Sequence, residues 1–152
     1  MIKMIEQLFE RLHFKGGTLS KVLETVIPKE YQNLIDFIGE FNACSTYLHT
    51  TETIENAKSI CENGLNCEEF GKTADYIHDI AGLIYMLIIR KDYGNFTLII
   101  QLNKNIENSY ESICKKKRNE NGDEIFVLPP QYIKGYYDRT TKEIFANPLF
   151  IR

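Results

Sequence analysis

Three places in the chain combine residue types that could do chemistry. The first is His49-Thr50-Thr51, a histidine and two hydroxyls between the run Thr46-Tyr47-Leu48 and a helical pattern. A histidine at a strand end, beside the free N–H groups of a helix start, can grip the hydroxyls and phosphates of a nucleotide. The second is Tyr76 with Tyr85, whose rings could stack on a flat heteroaromatic group. The third is Asp123-Glu124, which follows Asn121-Gly122 and opens an apolar run. A carboxylate fixed at a strand start can stabilise a developing positive charge. Taken singly, each has a plain structural reading: a surface histidine in a polar turn, tyrosines packed in a core, a solvated turn acid.

The elements that must position these residues are written in the periodicity. Ile5, Leu8, Phe9 and Leu12 fall on one helical face that ends at Gly16-Gly17, and a second short helix is expected over 20–26. Pro28 suits the first turn of a third, with Leu34, Ile35 and Ile38 as its buried stripe and Gly39 near its end. Residues 1–42 therefore form an N-terminal helical segment packed on a core made by 43–152. In that core, Thr46–Leu48 is a brief strand, and Thr51 or Thr53 caps a helix with Ile54, Ala57, Ile60 and Cys61 on its apolar face. Gly64 sits where a left-handed terminal residue is wanted. A polar stretch is expected over 66–73, then one longer helix over 74–89. Phe96–Leu102 is the strongest strand, bounded by Asn95 and Asn103, and Glu124–Leu128 is a second, stopped by Pro129-Pro130. Shorter strands over 132–137 and 143–151, with Pro148 at an edge, complete an α+β domain.

Composition excludes several classes. At 152 residues, with 43% apolar and 26% charged residues, the chain matches an ordinary soluble globular domain. A net charge of −3 gives no global basic field to draw nucleic acid. The N-terminal segment mixes charge into its apolar positions, unlike a signal peptide, and the apolar stretch over 80–89 is too short to span a bilayer. A cytoplasmic location and no membrane partner are the expectations. The four cysteines form no CxxC pair, so reduced thiols are expected, and the cysteines and three histidines show no metal-ligand spacing. There is no P-loop, no GxGxxG, no GxSxG and no HExxH.

In order along the chain, the three places resemble the ADP-ribosyltransferase superfamily, the group that includes diphtheria-like toxins and poly(ADP-ribose) polymerases. YLHTTETIENAKSICENGL is similar to the family's opening, a His-bearing strand leading into a helix that closes with Gly; ADYIHDIAGLIYMLII with FTLIIQLN resembles its middle; NGDEIFVLPPQYIKGYYD resembles its catalytic strand. The resemblance spans residue 47 to the C-terminus. It implies a split mixed or antiparallel β-sheet core, NAD as substrate, no metal, and mono-ADP-ribosyl transfer to an unknown protein or nucleic-acid acceptor, as in a bacterial or phage toxin or effector. His49 would bind the adenosine ribose with Thr50 beside it. Tyr76 would stack on nicotinamide with Tyr85 as a second wall. Glu124 would hold the nicotinamide ribose and stabilise its oxocarbenium. Thr50 stands where the family commonly has Gly, and Gly122, two residues before Glu124, replaces the Glu of arginine-modifying members. An NAD-dependent RNA 2′-phosphotransferase, or a binding module of the same fold with catalysis lost, are the alternatives. Lys115–Arg118, in the loop before Glu124, hints at an acidic or nucleic-acid target, although such a run is more often a solvated loop.

Overall fold

The computed structural model describes residues 29–41, 43–90 and 94–151. The first two expected helices lie outside the described residues. The third is α1, Lys29–Ile38; it buries Tyr31, Leu34 and Ile38 and ends at Gly39, whose φ of +80° a side chain would strain.

Two antiparallel sheets form the rest of the frame. The larger has strand order β3-β1-β4-β7-β8, with β1 Ser45–Thr51, β3 Asp75–Ile77, β4 Phe96–Leu102, β7 Ile133–Asp138 and β8 Ile144–Ala146. The smaller has order β2-β6-β5, with β2 Leu65–Asn66, β6 Glu124–Leu128 and β5 Lys115–Arg118. All seven residues of the central strand β4 are buried, because layers cover both of its faces. One face carries Leu48, Ile77, Ile99 and Tyr137, against α1 and against α4 Ile80–Ile84, which runs on into a π-helical turn at Tyr85–Ile89. The other carries Leu98, Ile100, Leu102 and Tyr136, against α2 Ile54–Asn63, against Phe70 of α3 Cys67–Thr73, and against Leu65 and Leu128 of the smaller sheet. Asn147 staples this second layer together. Its side-chain N–H groups donate to the carbonyls of Cys61 at 2.9 Å, Pro130 at 3.2 Å and Ile133 at 2.9 Å.

Several local expectations match the fold. Thr53 caps α2 by accepting from the Asn56 N–H, and Gly64 closes it with φ +94°. An added Cβ at Gly64 would also run into the Leu128 carbonyl. The bounds of β4 and β6 coincide with the two clear strands of the sequence. Others are corrected. The polar stretch over 66–73 contains α3, started by Asn66, whose side chain accepts from the N–H groups of Glu68 and Glu69. The single helix expected over 74–89 is broken: Asp75–Ile77 pairs with β1 as an edge strand, and Asp79 then caps α4 by accepting from Gly82 N–H. The strand expected over 143–151 is only Ile144–Ala146. Lys115–Arg118 is a strand rather than a loop, held by backbone pairing to β6 while its four side chains stay exposed.

Reduced thiols were expected throughout, but Cys67 and Cys114 form a disulfide, with Cα atoms 6.4 Å apart across 47 residues of sequence. The topology brings together the start of α3 and the end of the 3-10 segment at Glu107–Ile113, a meeting no local spacing encodes. Cys44 and Cys61 are free thiols. Among the described residues, no helix is long and apolar enough to cross a membrane.

Candidate functional site

Side chains alternate along β1, so Tyr47, His49 and Thr51 face the α2–α3 layer while Leu48 and Thr50 face α1 and α4. His49 is 5% exposed. Its Nδ1 lies 3.0 Å from the Thr73 hydroxyl at the end of α3, and its Nε2 lies 3.7 Å from a Glu69 carboxylate oxygen one turn earlier.

Hydrogen-bond bookkeeping favours one imidazole tautomer, the one that keeps the shorter Thr73 bond. The Thr73 hydroxyl has one proton, which it donates back along the helix to the Glu69 carbonyl at 2.8 Å. Towards His49 it can then only accept, so Nδ1 carries the hydrogen and Nε2 presents a lone pair. Burial pushes the His49 pKa below the ordinary histidine value of 6.5, against the opposing pull of Glu69 and Asp75. At neutral pH the ring is uncharged, with Nε2 an acceptor for a hydroxyl or N–H donor.

Tyr76 is on β3, not on a helix. It stands directly opposite Tyr47 in the β1–β3 ladder, which puts Tyr47, His49 and Tyr76 on one face of the sheet. The Tyr76 ring is 40% exposed; its centroid lies 5.2 Å from that of Tyr47 and 4.3 Å from that of His78. Phe70 of α3 meets Tyr47 edge-on at 5.1 Å. An exposed aromatic edge thus stands two residues along the face from His49.

The remaining expected residues lie elsewhere. Thr50 points to the other side of the sheet, opposite Thr97 in the β1–β4 ladder. Tyr85, 43% exposed, belongs to the helical layer on that same far side, where Leu83, Ile84, Met86 and Leu87 of its helix are buried. Glu124 opens β6, exposed, with a carboxylate oxygen 3.2 Å from the Lys116 ammonium and Arg118 opposite it in the ladder. Leu128 at the end of β6 joins the apolar cluster under His49's side of the large sheet, so β6 packs on the same side as His49 and Tyr76, with Glu124 at its far, exposed end. Between them lies α3. A cavity of about 590 Å³ separates α3 from β6, lined in part by Glu68, Lys72, Tyr110 and Phe126, and its lining stops short of His49, Tyr76 and Glu124.

Sequence reasoning missed Thr73, Glu69 and Lys116, which set the tautomer, the access and the charge balance of the site. The Asn66 cap followed by two acids was the available signal for α3 and hence for Glu69 and Thr73. Lys116 could not be singled out from a run of four cations. No protein-family model matches the chain, and neither a curated protein nor a solved structure matches it. The functional reading therefore rests on the residues themselves.

Proposed function

We propose that this chain is an NAD-dependent mono-ADP-ribosyltransferase-like protein that modifies a macromolecular acceptor. The observation that supports it most directly is His49: buried, neutral, with Nδ1–H committed to Thr73 and Nε2 left as an acceptor. That is the polarity needed to take a hydrogen bond from a ribose hydroxyl. Glu69 must give way for a ribose to reach Nε2; its side chain is 53% exposed, so its carboxylate can move into water at small cost. Tyr76 offers an exposed ring on the same face for a flat leaving group. As the glycosidic bond to nicotinamide breaks, positive charge grows on the ribose, and Glu124 is the carboxylate that would stabilise it, as acids do in glycoside hydrolysis.

One observation favours a second reading, a nucleotide-binding module without turnover. Lys116 stands at 3.2 Å from the Glu124 carboxylate and partly neutralises the charge that the chemistry requires. A single experiment separates the two. Wild type and Glu124→Gln are incubated with labelled NAD, and nicotinamide release and label transfer are measured beside the NAD-induced shift in melting temperature. Turnover lost in Glu124→Gln supports the transferase; a melting shift without turnover supports the module. Neither turnover nor a shift in wild type would overturn both.

A further inference from the structure

The cavity of about 590 Å³ between α3 and β6 has the Cys67–Cys114 disulfide in its wall, together with Glu68, Lys72, Tyr110 and Phe126. It is within the size range of small-molecule sites, roughly 300–1,000 Å³. Cys67 is buried, whereas Cys114 is only half-buried where it lines the cavity. A disulfide that a thiol can reach is the exchangeable kind. This one joins two short elements. With seven residues, α3 falls below the roughly 12–15 that a helix needs to persist alone in water, so it depends on what packs against it. The 3-10 segment at Glu107–Ile113 is itself kinked at the non-helical Ser109. Phe70 of α3 meets Tyr110 of that segment edge-on, with centroids 4.9 Å apart, and an added Cβ at Gly71 would run into the Tyr110 hydroxyl. Each element covers the other, and the disulfide is their covalent link. Glu69 and Thr73, the two side chains against the His49 imidazole, are both on α3. Whatever holds α3 in place therefore holds His49 as well.

We propose that Cys67–Cys114 is a thiol–disulfide exchange site, opened by a small dithiol that enters this cavity, and that opening it releases α3 from His49. A thiolate of the dithiol attacks Cys114 Sγ, the more exposed sulfur. As that S–S bond forms, the Cys114–Cys67 bond breaks, and Cys67 Sγ leaves with the electron pair and takes up a proton. The second thiol of the reagent, deprotonated, then closes on the first and displaces the Cys114 sulfur, which is protonated in turn. The dithiol ends as a cyclic disulfide, oxidised by two electrons, and the protein carries the two electrons and two protons as a pair of thiols. With the link gone, the 3-10 segment lifts from α3, and Thr73 and Glu69 no longer keep one position against the imidazole. The exchange uses no NAD, so its failure leaves the transferase reading standing and the reverse holds too.

The full chain is compared before and after incubation with dithiothreitol, without denaturant. Alkylation with peptide mapping scores the bond, amide hydrogen exchange scores α3 and β4, and the His49 imidazole resonances report on its partners. Cys67 and Cys114 become alkylated only after dithiothreitol, and the His49 resonances move. Amides of α3 exchange at least about tenfold faster in the reduced chain, while those of β4 keep their protection. The double variant Cys67→Ser, Cys114→Ser shows the fast α3 exchange from the start and no further response to dithiothreitol; where it does not fold, reduced wild type decides alone. A bond that resists dithiothreitol in the folded chain, reduction that leaves α3 and His49 unchanged, or loss of β4 protection together with that of α3 overturns the proposal.

Discussion

Replacing Asn147 by alanine tests whether one side chain holds α2 and the turn after β6 against the large sheet. Asn147 is 6% exposed, and its amide nitrogen serves three carbonyls on three elements: Cys61 in α2, Pro130 in the turn after β6, and Ile133 at the start of β7. Two hydrogens reach three acceptors, so at least one bond is shared and the set counts as about two full bonds. Each buried carbonyl left without its donor costs about 1–3 kcal/mol, so Asn147→Ala is expected to lose about 3 kcal/mol. For a domain of this length, that corresponds to a fall in melting temperature of roughly 6–12 °C. Asn147→Asp should be worse than alanine at neutral pH, since it turns a carboxylate towards three carbonyl oxygens. Urea unfolding followed by circular dichroism measures both. A loss below about 1 kcal/mol in Asn147→Ala, or an aspartate variant more stable than the alanine one, would refute the staple.

Three further outcomes follow from single features. Thr97 is fully buried on β4, and its hydroxyl has no hydrogen-bond partner among the described residues, so Thr97→Val should be neutral or stabilising by up to about 1 kcal/mol; chemical denaturation checks the sign. The Cys67–Cys114 bond closes 47 residues, which in the chain-entropy account contributes about 4 kcal/mol, so Cys114→Ser should melt roughly 10 °C lower, with the pairing itself read by non-reducing peptide mapping. His49 has its folded pKa lowered below 6.5, so the unfolded chain binds the extra proton first as pH falls; stability is therefore full above that value and declines as pH drops through it towards the folded pKa. His49→Gln should flatten that acid-side decline in a melting-temperature profile, and an unchanged profile would remove His49 as its source.

Strands whose apolar runs are bounded by turn residues were legible in the sequence: Phe96–Leu102 and Glu124–Leu128 needed nothing beyond their own composition. So were the caps of α2, because Thr53 and Gly64 act within a few bonds of their own position. What escaped was set by tertiary pairing. Asp75–Ile77 carries the apolar spacing of a helix and becomes a strand because β1 offers it an edge. Lys115–Arg118 has no apolar alternation, and only the backbone of β6 makes it extended. The site divides along the same line. His49 was visible as a residue type at a strand end, but the tautomer it holds depends on Thr73, which is 24 residues away in sequence and reached only through α3. Tyr76 and Tyr85 were expected on or near one long helix, and the break in that helix puts Tyr76 on β3 and Tyr85 in the helical layer over the other face of the sheet.

The outer strands carry a consequence for the behaviour of the chain in a crowded solution. A bare strand edge is a template on which another chain can add its own strand, and long apolar edges seed aggregates. Here the large sheet ends on β3 and β8, each three residues long, too short to template an extended ladder. The small sheet ends on β5, whose four successive side chains are Lys, Lys, Lys and Arg, all exposed. Two copies meeting at that margin would bring eight like charges together. Neutralising β5 with uncharged side chains would remove that repulsion and leave the fold's interior untouched, turning a self-repelling rim into an adhesive one.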